Sequence, residues 1–131
     1  YIKCLSPAFE LIIDRNADYS NIDPLTMITD NAWCSGIVLG KEIPNWEKLD
    51  LDTIQSELLW NNEAPQGAMI KDATPLESLA WVSNLFTSMG RTIPKNSVII
   101  TGSVIKTRAP ESGDHVIYKV GQLSEVEIKV H

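Results

Sequence analysis

One amphipathic helix among short apolar segments constrains the fold of this chain more than any other feature. Thr74 and Pro75 fit the N-cap and the first helical position, and Glu77 completes a capping-box pattern. Apolar residues then share one broad face as far as Gly90, which is typical of a helix end. The spacing predicts a helix over about 75–89, and we expect its apolar face to pack in the core.

The segments around the helix have the short apolar runs or the two-residue alternation of β-strands. Strands are expected at 8–14, 36–40, 52–60, 64–70, 97–102, 115–120 and 124–130, of which the last two form a hairpin. The runs at 36–40 and 97–102 are expected to be buried, whereas Asp23-Pro24 indicates a turn within an irregular stretch. Together these elements predict an α+β fold of mixed, mostly antiparallel β-sheets with one long amphipathic helix near 75–89.

Composition limits the classes of partner. The 131 residues, 44% of them hydrophobic, suffice for one domain with a core. The net charge of −6 argues against nucleic acid as a partner, because phosphate backbones require clustered Lys and Arg. No apolar stretch approaches the length of a membrane span, and Cys4 and Cys34 do not make a disulfide framework. We therefore expect a cytoplasmic protein without a membrane partner, whose acidity is compatible with a site for a cation.

Glu10 is the first candidate site residue, because it interrupts an apolar strand. Alternation places it on the same strand face as Ala8 and Ile12. A carboxylate between two apolar neighbours is costly unless a cation meets it, and that cation is a metal ion or an Arg or Lys. From the spacing alone, a partly exposed edge-strand Glu or an ion pair explains the position at least as well as a metal ligand.

Two further pairs of residues are candidates for binding a ligand. Thr101 and Gly102 close an apolar run, where a hydroxyl and free backbone N–H groups can hold a substrate carboxylate. Asp30 and Asn31, which precede the predicted strand at 36–40, are the second pair. Asx residues in such a position more often hydrogen-bond to the local backbone, so that alternative remains open.

Taken in order, four segments resemble the C-terminal half of the fumarylacetoacetate hydrolase superfamily. They are Pro7–Ile12 followed by Arg15, the stretch 29–40, the helix region 75–90, and 97–102 followed by Gly113-Asp114. The closest branch is that of the 2-keto-4-pentenoate hydratases and 4-oxalocrotonate decarboxylases. The resemblance implies a fumarylacetoacetase C-terminal-like β-roll. It also implies that residues 1–131 are the C-terminal fragment of a single catalytic domain whose N-terminal part is missing.

The resemblance also implies a chemistry. In that family three carboxylates hold Mg²⁺ or Mn²⁺, which chelates a 2-oxo acid and stabilises its enolate. Glu10 matches one metal ligand, Thr101 and Gly102 match positions that bind the substrate, and Asp30 and Asn31 match the pocket wall. The parent protein is thus expected to be a lyase of aromatic catabolism, a hydratase or decarboxylase of a small 2-oxo or 2-hydroxydienoic acid. A homo-oligomer is expected, with an aldolase or another lyase as a possible partner.

The departures from the family pattern keep two alternatives open. The other two metal ligands and the catalytic residues are expected in the missing N-terminal part, so the fragment alone should be inactive. Glu125 and Glu127 are spaced to share a cation, but Lys129 continues their strand face, which favours a solvated surface. Ile105 replaces a family Gly. One alternative is therefore a non-catalytic relative that acts as a scaffold or subunit partner, and the other is a C–C hydrolase of diketo acids.

Overall fold

A computed structural model describes every residue from Tyr1 to His131. The chain forms two antiparallel sheets and two helices. The elements are β1 (Ala8–Ile12), α1 (Pro24–Thr29), β2 (Cys34–Leu39), β3 (Gln55–Trp60), β4 (Gln66–Met69), α2 (Pro75–Ser88), β5 (His115–Val120) and β6 (Ser124–Lys129). No helix combines the length and the apolar character that a membrane crossing requires. The predicted α+β class, with antiparallel sheets and one long helix, is confirmed.

The first sheet is a two-stranded ribbon of β1 and β2. Phe9 lies opposite Val38 and Glu10 opposite Ile37, and the register shifts between Leu11 and Ile12. The predicted strand at 36–40 is β2, but its residues alternate between half-buried and exposed instead of being buried throughout. Only one face of a two-stranded ribbon packs against the rest of the chain, which explains the alternation.

The second sheet has four strands in the order β4-β3-β5-β6 and contains the core. Ser56, Leu58 and Trp60 share the buried face of β3, and Val116 of β5 packs against the same cluster. Ser56, which interrupts the apolar pattern in the sequence, is fully buried because its hydroxyl donates to the carbonyl of Ala68 at 3.1 Å.

The two sheets meet where β1 and β2 approach β5 and β6. The rings of Phe9 on β1 and Tyr118 on β5 pack with their centroids 6.3 Å apart. Ser124 on β6 donates its hydroxyl to the carbonyl of Lys41, just beyond β2, at 2.5 Å. The ribbon is therefore fixed to the four-stranded sheet by one aromatic contact and by polar contacts at its base.

Helix α2 has the predicted bounds but not the predicted environment. None of its residues is fully buried, and Leu76, Leu85 and Met89 of the apolar face are exposed, so the expected core packing is wrong for this chain by itself. Thr74 has φ of 40° and makes no side-chain cap hydrogen bond, so the predicted capping box is also wrong. The helix ends as expected, because Gly90 has φ of 69° and the N–H of Arg91 donates to the carbonyl of Phe86 at 2.8 Å.

Helix α1 lies in the stretch that was predicted to be irregular. Asp23 caps its N-terminus by accepting from the backbone N–H groups of Leu25 and Thr26, at 2.9 and 3.0 Å. Pro24 occupies the first helical turn, where a missing N–H costs nothing. The Asp-Pro pair that indicated a turn therefore begins a helix. Helix α1 has only six residues, which are too few to show a helical period in the sequence.

The predicted buried strand at 97–102 does not form. From Val98 to Pro110 no backbone N–H or carbonyl is hydrogen-bonded to another backbone group. Val98 is 57% exposed, and Ile99 and Ile100 are also exposed. A strand requires a neighbouring strand for its hydrogen bonds, and no strand of this chain pairs with the segment.

Candidate functional site

Glu10 lies in the middle of β1 with its side chain exposed. Phe9 points towards the four-stranded sheet, where it contacts Tyr118. Since neighbouring side chains on a strand point to opposite faces, Glu10 occupies the other face of the ribbon. Glu10 forms no salt bridge within the chain, so it is not part of an intramolecular ion pair. Its position is that of an exposed Glu on a strand, which was the other alternative.

Cys34 is the immediate polar neighbour of Glu10. It lies opposite Ile12 in the register, which places its side chain on the same face of the ribbon as Glu10. Partial burial raises the pKa of the Cys34 thiol, and the nearby Glu10 carboxylate raises that pKa further. The thiol beside Glu10 is therefore protonated and uncharged, and it leaves the carboxylate available to a cation. Cys34 is a free cysteine.

Asp30 and Asn31 lie at the far end of the ribbon and serve local structure there. Asp30 follows α1 and pairs with Arg15 at 3.2 Å. The side-chain amide of Asn31 donates to the carbonyl of Cys34 at 3.0 Å, which is the local backbone bond that its sequence context favours. These contacts fix the start of β2 relative to the end of β1.

Backbone strain is concentrated at the same end of the ribbon. Asn31, Ala32 and Trp33 have φ values of 49°, 49° and 63°, a left-handed conformation that costs energy for Ala and Trp. The ring of Tyr19 packs on Trp33 with centroids 5.5 Å apart and helps to hold the turn. Strained residues often occur at functional positions. The sequence offered no sign of this turn, since it contains no Gly.

Thr101 and Gly102 lie in the stretch without backbone pairing. Thr101 is half-buried, and Gly102 has φ of 103°, which few other residues adopt. The backbone N–H groups of both residues are free of backbone partners, as binding of a carboxylate by this segment would require.

A broad trough of about 1880 Å³ brings part of the predicted site together. Glu10, Thr101 and Gly102 all line it, whereas Asp30 and Asn31 do not. Four cations also line the trough, namely Lys3, Lys95, Lys106 and Arg108.

The four cations of the trough differ in availability, and Lys3 is paired with Glu42 at 3.5 Å. Arg108 is already engaged, with two hydrogen bonds of 2.8 Å to Glu63 and its guanidinium 4.1 Å from the centre of the Trp60 ring. Lys95 and Lys106 form no salt bridge within the chain. Their charges favour an anionic ligand in the trough.

The chain does not by itself assemble a metal centre. No group of three His, Cys, Asp or Glu side chains is placed to hold an ion. Glu125 and Glu127 are on β6 and pair with Lys119 at 3.7 Å and Lys129 at 3.2 Å, as expected for a solvated face. Glu10 thus offers one carboxylate, and a three-carboxylate site would require two ligands from outside the chain.

Comparison with known proteins gives relatives in one group of enzymes. The chain is 27% identical to 4-oxalocrotonate decarboxylase of Pseudomonas putida over 121 residues, which cover 90% of this chain and 46% of that enzyme. It is 28% identical to 2-hydroxyhexa-2,4-dienoate hydratase of Comamonas testosteroni over 113 residues, which cover 84% of this chain and 42% of that enzyme. No family model matches the chain.

The fold has close counterparts among solved structures. The 4-oxalocrotonate decarboxylase from Pseudomonas putida G7, complexed with magnesium and adipate, matches 98% of this chain and 49% of its own with a TM-score of 0.84 and 24% identity. The same enzyme complexed with calcium and acetate matches with a TM-score of 0.81 and 25% identity. The chain spans about half the length of the curated relatives it matches. It is homologous to 4-oxalocrotonate decarboxylase and 2-hydroxyhexa-2,4-dienoate hydratase over that half, which confirms the resemblance to their branch of the fumarylacetoacetate hydrolase superfamily.

Proposed function

We propose that this chain provides one half of a divalent-metal-dependent lyase that acts on a small 2-oxo or 2-hydroxydienoic acid. The observation that carries the proposal is the homology to a decarboxylase and a hydratase across most of the chain. In this proposal Glu10 is one ligand of Mg²⁺ or Mn²⁺, and Thr101 with Gly102 binds the carboxylate or oxo group of the substrate. Asp30 and Asn31 shape the pocket wall from the end of the ribbon.

The charges of the trough support this assignment. Glu10 presents a negative charge, and Lys95 and Lys106 present positive charges, along one concave surface that Thr101 also lines. A small acid that chelates a cation through one end and carries a carboxylate at the other requires both signs of charge. Size is not restrictive, because the trough is larger than such a substrate needs.

In the proposed reaction the role of this chain is to bind the metal ion and the substrate. A bound Mg²⁺ or Mn²⁺ would supply stabilisation of an enolate. Because the chain presents only one carboxylate ligand, we expect the isolated chain to be inactive. The two remaining ligands and the groups that transfer protons would come from the half of the homologous fold outside the match.

A metal titration tests the role of Glu10. The protein to use is a chimera in which this chain replaces the matched half of the Pseudomonas putida enzyme, with the isolated chain measured in parallel. We expect Glu10→Gln to weaken Mn²⁺ binding to the chimera by about 10-fold or more, since an amide is a poorer ligand for a hard cation. Glu57→Gln is the matched control, because Glu57 is an exposed strand carboxylate without a salt bridge. Equal Mn²⁺ affinity in the two variants would remove Glu10 from the metal site.

Adipate, the ligand bound to one structural counterpart, tests the role of Thr101. Thr101→Val removes the hydroxyl and keeps the shape, so the Kd of adipate for the chimera should rise by about 10-fold. Thr107→Val changes a second Thr of the trough and should leave that Kd unaltered. The same Kd in both variants and in the parent chimera would exclude Thr101 as a ligand for carboxylate.

A non-catalytic relative is the second candidate function, and Ile105 favours it. This residue stands where the family pattern has Gly, and it packs against the cluster of Leu58, Trp60 and Val116. It thus stabilises the core at a position where the family keeps the backbone accessible. A chimera that folds but binds neither Mn²⁺ nor adipate would favour a scaffold or a subunit of another lyase or aldolase. A C–C hydrolase of diketo acids would bind both and differ in its products.

A further inference from the structure

We infer that Val98–Ile100, called here the open segment, becomes a β-strand by pairing with a strand from the half of the homologous fold that this chain does not match. The pairing follows from the shared fold and does not depend on any catalytic role. The other half provides the occupant whether it is joined to this chain or supplied by another chain.

The backbone of the open segment is available for pairing. No backbone hydrogen bond forms between Val98 and Pro110, although the sequence Val-Ile-Ile-Thr has the composition of a strand interior. The last bond before it runs from the N–H of Ser97 to the carbonyl of Pro94 at 3.2 Å. An extended run of free N–H and carbonyl groups with β-branched side chains is a template for strand addition.

The surface area of the chain is too large for a protein that is complete in itself. Its accessible surface is 9725 Å², whereas a folded monomer of 14.6 kDa has about 6900 Å². The excess of about 2800 Å² on this side alone corresponds to about 5600 Å² over both partners, the size of a large permanent interface. Only five hydrophobic residues are buried, namely Ile43, Leu58, Trp60, Val116 and Val126. A large apolar surface is therefore exposed, and it could be covered only by a partner of comparable size.

Helix α2 and the open segment form two walls of one groove. The groove has a volume of about 560 Å³ and is lined by Leu79, Trp81 and Val82 of the helix and by Ile99 and Ile100 of the segment. Trp81 is mostly exposed. Helices cover the faces of sheets in α+β folds, so a sheet that includes the open segment would place a core under α2. This arrangement accounts for the apolar helix face that stays exposed in the chain alone.

The size of the match identifies the occupant as the other half of the fold and not a second copy. Nearly all of this chain, 98%, matches 49% of the decarboxylase chain, so about as many residues of that enzyme lie outside the match. A self-pair of two open segments would join only two three-residue strands. It would leave the apolar residues of β1, Leu11 and Ile12, exposed, together with most of the excess area.

Amide hydrogen exchange tests the pairing. In the isolated chain we expect the amides of the open segment to exchange almost freely, and in the chimera at least about 100-fold more slowly. The monomeric mass of both proteins is to be measured by sedimentation. Fast exchange in the chimera, folded or not, would overturn the inference. Protection in an isolated chain that sediments as a dimer would also overturn it, and would assign the surface to a second copy.

Two proline variants sharpen the test. Neighbouring N–H groups of a strand point to opposite sides, so one of Ile99→Pro and Ile100→Pro removes a donor to the partner strand. We expect one of them to abolish the protection in the chimera, and neither to change the unfolding midpoint of the isolated chain. Thr92→Pro, in an exposed connection without backbone bonds, is the control. Retained protection in both Ile variants would refute strand pairing. Protection together with absent Mn²⁺ binding would keep this inference and reject the proposed function.

Discussion

Gly40 occupies the tightest joint of the structure, where the ribbon that carries Glu10 meets β6. A β-carbon built on Gly40 collides with the carbonyl oxygen of Glu125, and it lies 2.9 Å from the carbonyl carbon of Glu125 and 2.8 Å from Cγ of Pro7. Neither neighbour is a flexible side-chain end, because one is strand backbone and the other is a buried proline ring. Gly40→Ala must therefore move the ribbon away from the four-stranded sheet.

The cost follows from the contacts at this joint. Forcing a methyl group into a packed site costs about 1–3 kcal/mol. The N–H of Gly40 donates to the carbonyl of Pro7 at 2.9 Å, and the carbonyl of Gly40 accepts from Ser6 at 2.8 Å. Disturbing one of these hydrogen bonds adds about 1 kcal/mol. We therefore expect Gly40→Ala to reduce the free energy of unfolding by about 3 kcal/mol.

Urea denaturation followed by circular dichroism measures this change. With a slope of about 2 kcal/mol per molar urea, the midpoint should fall by about 1.5 M. Gly36→Ala is a matched control on the same ribbon, since a β-carbon there meets only Cδ1 of Leu11 at 3.9 Å. Its midpoint should change by less than about 0.3 M. Equal midpoints for the two variants would refute the close approach of the sheets at Gly40.

Three further predictions concern the surface network and the strained turn. Arg108→Ala removes the two hydrogen bonds of 2.8 Å to Glu63. The variant should lower the urea midpoint by less than Gly40→Ala does, and it should speed thermolysin cleavage around residue 108. Unchanged cleavage would show that the pair of Arg108 and Glu63 does not hold this stretch of chain. A hydrogen bond from the backbone N–H of Glu111 is the largest of the causes that hold the pKa of Asp114 below its ordinary value of 3.8 in the folded chain. Stability from this carboxylate is therefore present above the pKa of the unfolded state and is lost as the pH falls through the folded pKa. Between about pH 5 and about pH 3 the urea midpoint should fall less in Asp114→Asn than in the parent, and parallel pH profiles would contradict this. Ala32→Gly relieves the strain of a left-handed φ of 49° and should raise the free energy of unfolding by about 0.5 kcal/mol. An Ala→Gly change within α2 should lower the free energy of unfolding. A loss of stability at both places would refute strain at Ala32.

Local patterns predicted the elements whose partners lie nearby in the sequence. The hairpin of β5 and β6 follows from alternation on both sides of a short turn, and each strand finds its partner a few residues away. Pro75 and Gly90 gave the bounds of α2 because both residues act through their own backbone geometry. Helix α1 was missed because Asp23-Pro24 begins helices as well as turns.

The candidate site was predictable in part. Glu10 stood out as a charge in an apolar strand, and Thr101 and Gly102 as the end of an apolar run. Their shared trough depends on how the ribbon and the unpaired stretch approach each other, which no local pattern encodes. The approach of Cys34 to Glu10 depends in the same way on the register shift in β1.

The sequence by itself determined where strands and the helix are favoured, and it determined the kinship with the decarboxylases and hydratases, because both are recorded in residue types and their order. Tertiary structure alone decided which favoured segments obtain a partner. The run Val-Ile-Ile-Thr has strand propensity as strong as that of β5, yet only β5 has neighbours on both sides, and so only β5 is a strand. The physical reason is that a strand is stabilised by hydrogen bonds to another strand, so that its formation depends on what lies beside it.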